Sequence, residues 1–231
     1  MGSGISYTLA GGVGTITMDD GKVNALSPHM LGELNAALNR AEADEAAVVL
    51  TGRSGVFSAG FDLAVLRAGG PAAAAMMRSG FELAARLLAF PAPVLAACSG
   101  HAVAMGAFLL LAADYRIGVD GPFRITANEV AIGLTMPLAA IELCQARLAP
   151  AAFSRAVTLA EVFSPEDAAA AGFLDQVVDL TDLESAVTAA TGQLPQLDRR
   201  AHVTTKLRAR RALVESVTAA AEAEFGLAGA A

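Results

Sequence analysis

The chain has 231 residues, carries a net charge of −7 and is 55% hydrophobic. Its length suits one large domain, with or without a small appendage, and can bury a sizeable core. The acidity, with a pI near 4.9, argues against a nucleic-acid surface.

The N-terminal "MGSGIS" meets the loose myristoylation pattern, but small residues of this kind crowd most chain ends. It shows no basic region followed by an apolar one, so no signal peptide is expected. Ser6–Leu9 and Val13–Met18 read as short strands joined by the hairpin turn Ala10-Gly11-Gly12. Ser27 and Pro28 are an N-cap and first-turn pair, opening a helix to about Glu42. Ala47–Thr51 ("AVVLT") is a buried strand. The stretch "GRSGVFSAGFDL" is expected as a loop, followed by a helix over Ala72–Ala89 and a second buried strand, Val94–Ala97.

A mean hydropathy of +0.51 raises the question of a membrane span. No charged residue lies between Arg86 and Asp114, but Pro91, Pro93 and the polar turn Ser99-Gly100-His101 interrupt that stretch. The apolar piece left, Ala102 to Ala113, is too short to cross a bilayer and reads as a buried core helix. Further on, "SPEDAAAAG" has Ser164 as cap, Pro165 in the first turn, Asp167 as the box acid and Gly172 as the stop. The strand Gln176–Val178 closes that unit. From Asp182 onward the chain reads as helical, with a hinge at Leu194-Pro195-Gln196.

Buried strands alternating with helices point to an α/β fold with covered sheets. Residues 1–194 are expected to form the core and 195–231 a C-terminal helical segment. Cys98 and Cys144 lack metal spacing, and a reduced, cytoplasmic setting fits them. His29, His101 and His202 have no ligand spacing either, so no metal is expected.

One carboxylate stands out. Glu129, in "ITANEVAIGLTMP", has no charged neighbour, and a buried unpaired carboxylate is costly unless its pKa rises or it finds a partner. Two loops of small residues also follow buried strands: Ser58-Ala59-Gly60-Phe61-Asp62-Leu63, and Ser99 to Gly106. Such loops let a ligand approach the main chain, and their N–H groups can hold a developing oxyanion. Either loop alone reads more simply as an ordinary turn.

Taken together, "VFSAGFDL", "SGHAVAMGAFLLLAADYRI" and "NEVAIGLTMP" resemble the crotonase, or enoyl-CoA hydratase/isomerase, family in order and spacing. The resemblance runs from the first strand through "GKVNALS" (Gly21–Ser27) to "SPEDAAAAGFLDQVV" (Ser164–Val178). It implies a crotonase-like spiral of ββα units with C-terminal helices, assembled as a homotrimer or a hexamer. It also implies an acyl-CoA thioester substrate, with coenzyme A entering as part of that substrate and no separate cofactor. The oxyanion hole then falls on the N–H groups of Phe61 and Met105, the latter at the start of the apolar helix. A single donor of this kind is worth about 3 kcal/mol of barrier.

Hydratases of the family use two glutamates to hold water. One matches Glu129, whereas the other position falls on Phe108, three residues beyond Met105 on the same helical face. A lone carboxylate suits a proton shuttle, the chemistry of delta-3, delta-2 enoyl-CoA isomerase, and the chain resembles the mitochondrial type of that enzyme more than the hydratase, notably in "VFSAG-DL", "DYRI", "NE" and "DQVV". Glu129 is then the general base, its pKa raised by the apolar residues Val130, Ile132 and Leu134. Asn128 is expected to contact the substrate or orient the Glu129 loop. The resemblance implies that Lys22, Val23 and Ala25, with Ala59, Gly60, Asp62 and Leu63, bind the substrate, the first three at the CoA site, and that Phe108 narrows the pocket near the reacting carbons of the acyl group.

Other residues carry plainer readings. Asp62 is expected to cap a helix beginning near Leu63, Asp114 to end the buried helix, and His101 to bond within its loop. Met76, Met77 and Phe81 read as core or acyl-pocket wall. The basic run Arg199, Arg200, Lys206, Arg208, Arg210, Arg211 is either a solvated face or a contact for the nucleotide phosphates of CoA. The amphipathic stretch Leu207–Phe225 needs a surface to cover, expected to be the CoA site and a neighbouring subunit. Isomerase, hydratase and non-catalytic acyl-CoA-binding protein all remain open at this point.

Overall fold

Valine, leucine and alanine runs that are apolar on both faces need cover on both sides, and that requirement shapes the layers. In β3 (Ala47–Gly52) and β5 (Val94–Cys98), alternate residues go to different cores. Val48, Leu50, Val94, Ala96 and Cys98 face the main core, while Val49, Leu95 and Ala97 join Ile117 in a smaller one. The computed structural model describes residues 4–226. The first residues of "MGSGIS" and the last of the C-terminal segment lie outside them.

The large sheet begins with the antiparallel hairpin β1 (Ile5–Ala10) and β2 (Val13–Met18), followed by α1 (Pro28–Ala43). Its strand order is β1-β2-β3-β5-β7-β9, parallel from β2 onward, with β7 at Tyr115–Val119 and β9 at Gln176–Val178. A second, three-stranded parallel sheet holds β4 (Gly55–Ser58), β6 (Gly100–Val103) and β8 (Ile125–Thr126). Each of three successive ββα units gives its first strand to the large sheet and its second to the small one. Their helices are α2 (Leu63–Ala68) with α3 (Gly70–Ala89), then α4 (Met105–Ala112), then α5 (Leu138–Arg147). This is the expected spiral.

The remaining helices are α6 (Pro150–Leu159), α7 (Pro165–Ala171), α8 (Leu183–Gly192) and α9 (Arg199–Phe225). Ser27 caps α1 and Ser164 caps α7, as the sequence indicated. Among the described residues no helix is long and apolar enough to cross a membrane.

Four expectations need correction. "GRSGVFSAGFDL" is not all loop, because Gly55–Ser58 pairs with β6. The apolar run from Ala102 is not all helix: Ala102 and Val103 pair with Ile125 and Thr126, and the helix starts at Met105. Asp114 does more than follow α4. Its carboxylate accepts hydrogen bonds from Val94 N–H (2.6 Å) and Lys206 Nζ (2.7 Å), and pairs with Arg210 Nη1 at 2.8 Å. The basic run is therefore not one solvated or CoA-facing stripe. Lys206 is buried and Arg199 pairs with Glu45, which leaves Arg200, Arg208 and Arg211 exposed. Part of the surface that Leu207–Phe225 needs is found in the same chain, since α9 packs along α3 and α5, while Leu207 stays exposed.

Candidate active site

Where β4 ends, the chain must turn without filling the space beside it. Ser58 is buried, donates to Asn24 C=O (2.8 Å) and accepts from Gly60 N–H (3.1 Å). Gly60 has φ +86°, and a Cβ there would lie 2.8 Å from Val103 O and 3.2 Å from Met105 N. The two small-residue loops thus touch at Gly60, where a larger residue could not fit. Asp62 then caps α2, its Oδ1 accepting from Ala64 N–H at 2.8 Å. Close packing also explains Gly106, where a Cβ would meet Ser58 O at 2.4 Å and force α4 off β4.

The second loop enters α4 through Ala104, whose φ of 50° and ψ of −123° are rare for an L-residue with a side chain. Such strain costs about 1–3 kcal/mol and persists only where the surroundings enforce it. Here Ala104 N–H donates to Thr126 O (2.8 Å) and Ala104 O accepts from Phe108 N–H (3.1 Å). Met105, as the first helical residue, has no intrahelical acceptor for its N–H. Neither it nor Phe61 N–H donates a hydrogen bond among the described residues. The neighbours of Phe61 are engaged instead: Leu26 bonds to Gly60 O and to Asp62 N–H, forming a parallel bridge.

Between these loops and the Glu129 segment lies a cavity of about 260 Å³. Its walls are Leu63 and Leu66 of α2, Ala73 and Met77 of α3, and Ala59, Phe61 and Ala104 from the loops. Asn128, Glu129, Ile132, Leu134, Thr135 and Pro137 close the other side. Glu129 is 6% exposed, and its Oε2 has no hydrogen-bond partner. Burial pushes its carboxyl up to about 7, against a smaller downward pull from its own backbone N–H. Val130, Ile132 and Leu134 are themselves exposed, though Ile132 and Leu134 share the lining with Glu129. Cys144 of α5 also lies near it, its thiol raised to about 12 by burial and by the charge of Glu129. Asn128 Oδ1 is likewise buried and unpartnered. Glu129 is the one carboxylate in this lining.

Phe108 is expected at the acyl group, but it does not line the cavity. It is fully buried and stacks on Phe81 (centroids 6.3 Å), one layer behind Phe61. Met76 and Phe81 are core; Met77 is wall. Lys22, Val23 and Ala25 also stand outside the lining, on a loop that flanks it through Ala59 N–H donating to Val23 O (2.9 Å). Two residues missed in the sequence hold that loop. Asn24, at φ 53°, donates from Nδ2 to Met18 O (2.9 Å) and Phe57 O (3.1 Å). Asp20 accepts from Lys22, Asn24 and Ala25 N–H. Partial burial pushes the Asp20 carboxyl up, but these bonds outweigh it and hold it below the usual range. The local signal was present: an Asp followed by Gly and then Asn marks a turn built by side chains.

His101 accepts from Arg124 N–H through Nδ1 (3.0 Å) and meets the Phe123 ring edge-on. Among the described residues no group of three or more His, Cys, Asp or Glu could hold a metal ion. What the cavity offers is a carboxyl poised near neutrality, the unengaged N–H of Phe61 and a largely apolar wall; Met105, whose N–H is also unengaged, stands outside the lining, next to Ala104.

Residues 8–229 match the family model "Enoyl-CoA hydratase/isomerase". The human mitochondrial enoyl-CoA delta isomerase 1 is 31% identical over 218 residues, 92% of this chain and 72% of that one. A probable enoyl-CoA hydratase of Rhodobacter capsulatus is 37% identical over 183 residues, 78% of this chain and 70% of that one. Among solved structures, an enoyl-CoA hydratase/isomerase family protein from Pseudomonas syringae superposes with a TM-score of 0.95. It is 49% identical, and the match covers 97% of each chain.

Proposed function

The chain belongs to the enoyl-CoA hydratase/isomerase family, and we propose that it moves the double bond of a 3-enoyl-CoA to give the 2-enoyl-CoA. The observation that carries this reading is the lone Glu129 carboxylate on a largely apolar wall, with an aromatic core residue, Phe108, at the position where the family resemblance puts a second acid in hydratases. In this reading ionised Glu129 removes a proton from C2 of the substrate. The electron pair delocalises over the thioester carbonyl and the C3–C4 double bond, giving a dienolate. The N–H groups of Phe61 and Met105 hold its oxygen. Protonated Glu129 returns the same proton to C4, leaving the double bond at C2–C3. No water enters the balance and no cofactor is consumed.

A carboxyl with a pKa near 7 suits both halves of this shuttle, because it is neither too weak a base nor too weak an acid. Hydration asks for something else: a water held between two groups that exchange protons. The deciding experiment incubates the protein with a 3-enoyl-CoA and separately with a 2-enoyl-CoA. Bond migration without water addition supports the isomerase, water addition the hydratase, and neither a non-catalytic acyl-CoA-binding protein.

The same reading includes a homotrimer or a pair of trimers in the cytoplasm. Exposed Leu159 (72%), Val162 (55%) and Leu138 (53%) support an assembly that covers them, and light scattering at micromolar concentration tests it. Two buried free thiols are consistent with a reducing compartment.

A further inference from the structure

The last turn of α9 touches residues directly behind two parts of the cavity wall: Leu138, next to Pro137, and Phe81, which packs on Phe61. On one side, α5 begins without a cap of its own: Pro137 precedes it and supplies no side-chain hydrogen bond. Leu138 N–H donates instead to Glu224 Oε2 at 2.8 Å, across 86 positions of sequence. A carboxylate at a helix N-terminus satisfies an orphan donor and opposes the positive end of the dipole. Leu138 directly follows Pro137 of the cavity wall, three residues after Thr135. Upstream, Leu134 N–H donates to Glu129 O at 2.9 Å. The segment carrying Glu129 is thus closed by its own backbone at one end and held by α9 at the other.

On the opposite side, Phe225 stacks on Phe81, with centroids 6.1 Å apart and planes at 8°. Phe81 in turn meets Phe61 edge-on. These are not the only contacts that hold α9 among the described residues. Lys206 and Arg210 fasten it to Asp114, and Val217 and Ala221 are buried in the main core.

We propose that Glu224 and Phe225 are positioning residues of this active site: Glu224 fixes the Glu129 segment by capping α5, and Phe225 fixes Phe61 through Phe81. The inference rests on the isomerase reading for its activity readout. Cys144 of α5 is the titratable side chain that bears on Glu129 from the facing helix.

The test compares Glu224→Ala, Glu224→Gln, Phe225→Ala and the parent protein, each as the full chain. A misplacement on the ångström scale costs up to about 100-fold in rate. Glu224→Ala and Phe225→Ala are therefore expected to lower kcat by about 10- to 100-fold, with KM and melting temperature little changed. Glu224→Gln, which can still accept from Leu138 N–H, should restore most of the rate. The pH profile of Glu224→Ala should also shift to lower pH as the loosened segment admits water to Glu129. Parent-like kcat and pH profile in both alanine variants overturn the proposal. So does an equal loss in Glu224→Ala and Glu224→Gln that tracks melting temperature. If the parent protein does not isomerise 3-enoyl-CoA, the proposed function fails separately. The titration of the Glu129 carboxyl by carbon NMR then decides this proposal: it should move downward in Glu224→Ala and stay in Glu224→Gln. An unmoved titration in Glu224→Ala overturns it.

Discussion

Phe61 meets Phe81 edge to face, with ring centroids 6.1 Å apart and planes inclined at 69°. Gly80 leaves the room for this: a Cβ there would fall 2.4 Å from Phe61 Cε1. Gly80→Ala should therefore press the Phe61 ring toward the cavity it lines. The clash is with a ring edge rather than backbone, so the cost of overpacking is about 1–3 kcal/mol and the protein should still fold. The expected result is a drop in kcat/KM of about 10- to 100-fold with a cooperative melt retained. Parent-like kinetics would show that Phe61 has another place to go.

Glu129→Gln should abolish isomerisation, by about 100- to 10,000-fold, while acyl-CoA binding survives. The amide keeps the size of the side chain and removes the base. On the proposed shuttle the active form of the parent protein is the carboxylate. With a carboxyl near 7, kcat/KM should fall about tenfold per pH unit well below that value and level off above it. A Gln variant that keeps most of its turnover would remove Glu129 from the mechanism.

The same substitution should stabilise the fold at high pH. An ordinary glutamate titrates near 4.5, and Glu129 near 7 in the folded state. The folded chain therefore holds this proton more tightly than the unfolded one. The stabilising contribution of the protonated form is complete below pH 4.5 and is lost as pH rises through 7. The loss is about 3 kcal/mol. Urea unfolding of Glu129→Gln should show its largest gain over the parent at pH 8 and little at pH 4. Equal gains at both would mean that the buried charge is not what destabilises the parent.

How much of this was legible depended on whether the signal was local. The caps at Ser27, Asp62 and Ser164 are legible because capping is set by residues two or three apart. Glu129 stood out because charge is rare in an apolar stretch. Its full surroundings are not legible locally: Val130, Ile132 and Leu134 are half exposed in the fold, and Cys144, fifteen positions on, bears on it as well. Gly55–Ser58 was missed as a strand because four residues ending in a ligand loop carry little periodicity. The pairing of Lys206 with Asp114 joins positions 92 residues apart, and no pattern in either segment announces it. The Glu224 cap on α5 is of the same kind.

Asp114→Ala tests that pairing. Burial lowers the pKa of Lys206, and the Asp114 carboxylate works against that shift. Without it, an ammonium that is 5% exposed keeps only the Ala92 carbonyl as a partner, at 3.0 Å. Breaking a buried pair from one side typically costs about 3–5 kcal/mol. A fall in unfolding free energy of that size is expected, with Lys206→Met in the same background recovering part of it. A loss under about 1 kcal/mol would show the pair to be no better than a surface one.

Hydratase activity should be very weak, and here the position of Phe108 changes how that is tested. Had Phe108 faced the cavity, replacing it by Glu would have offered a second carboxylate. It is instead fully buried and stacked on Phe81, so Phe108→Glu would place a charge in the core at a cost of several kcal/mol. An unfolded variant would say nothing about water. The informative substrate is crotonyl-CoA with the unmodified protein. Among the lining residues, Glu129 is the one carboxyl able to exchange a proton, and a hydratase needs a second group on the same water. Hydration should therefore lie far below the rate of bond migration. A hydration rate at or above about 10 per second would mean that another group activates water, and that the lone-carboxylate argument for an isomerase is mistaken.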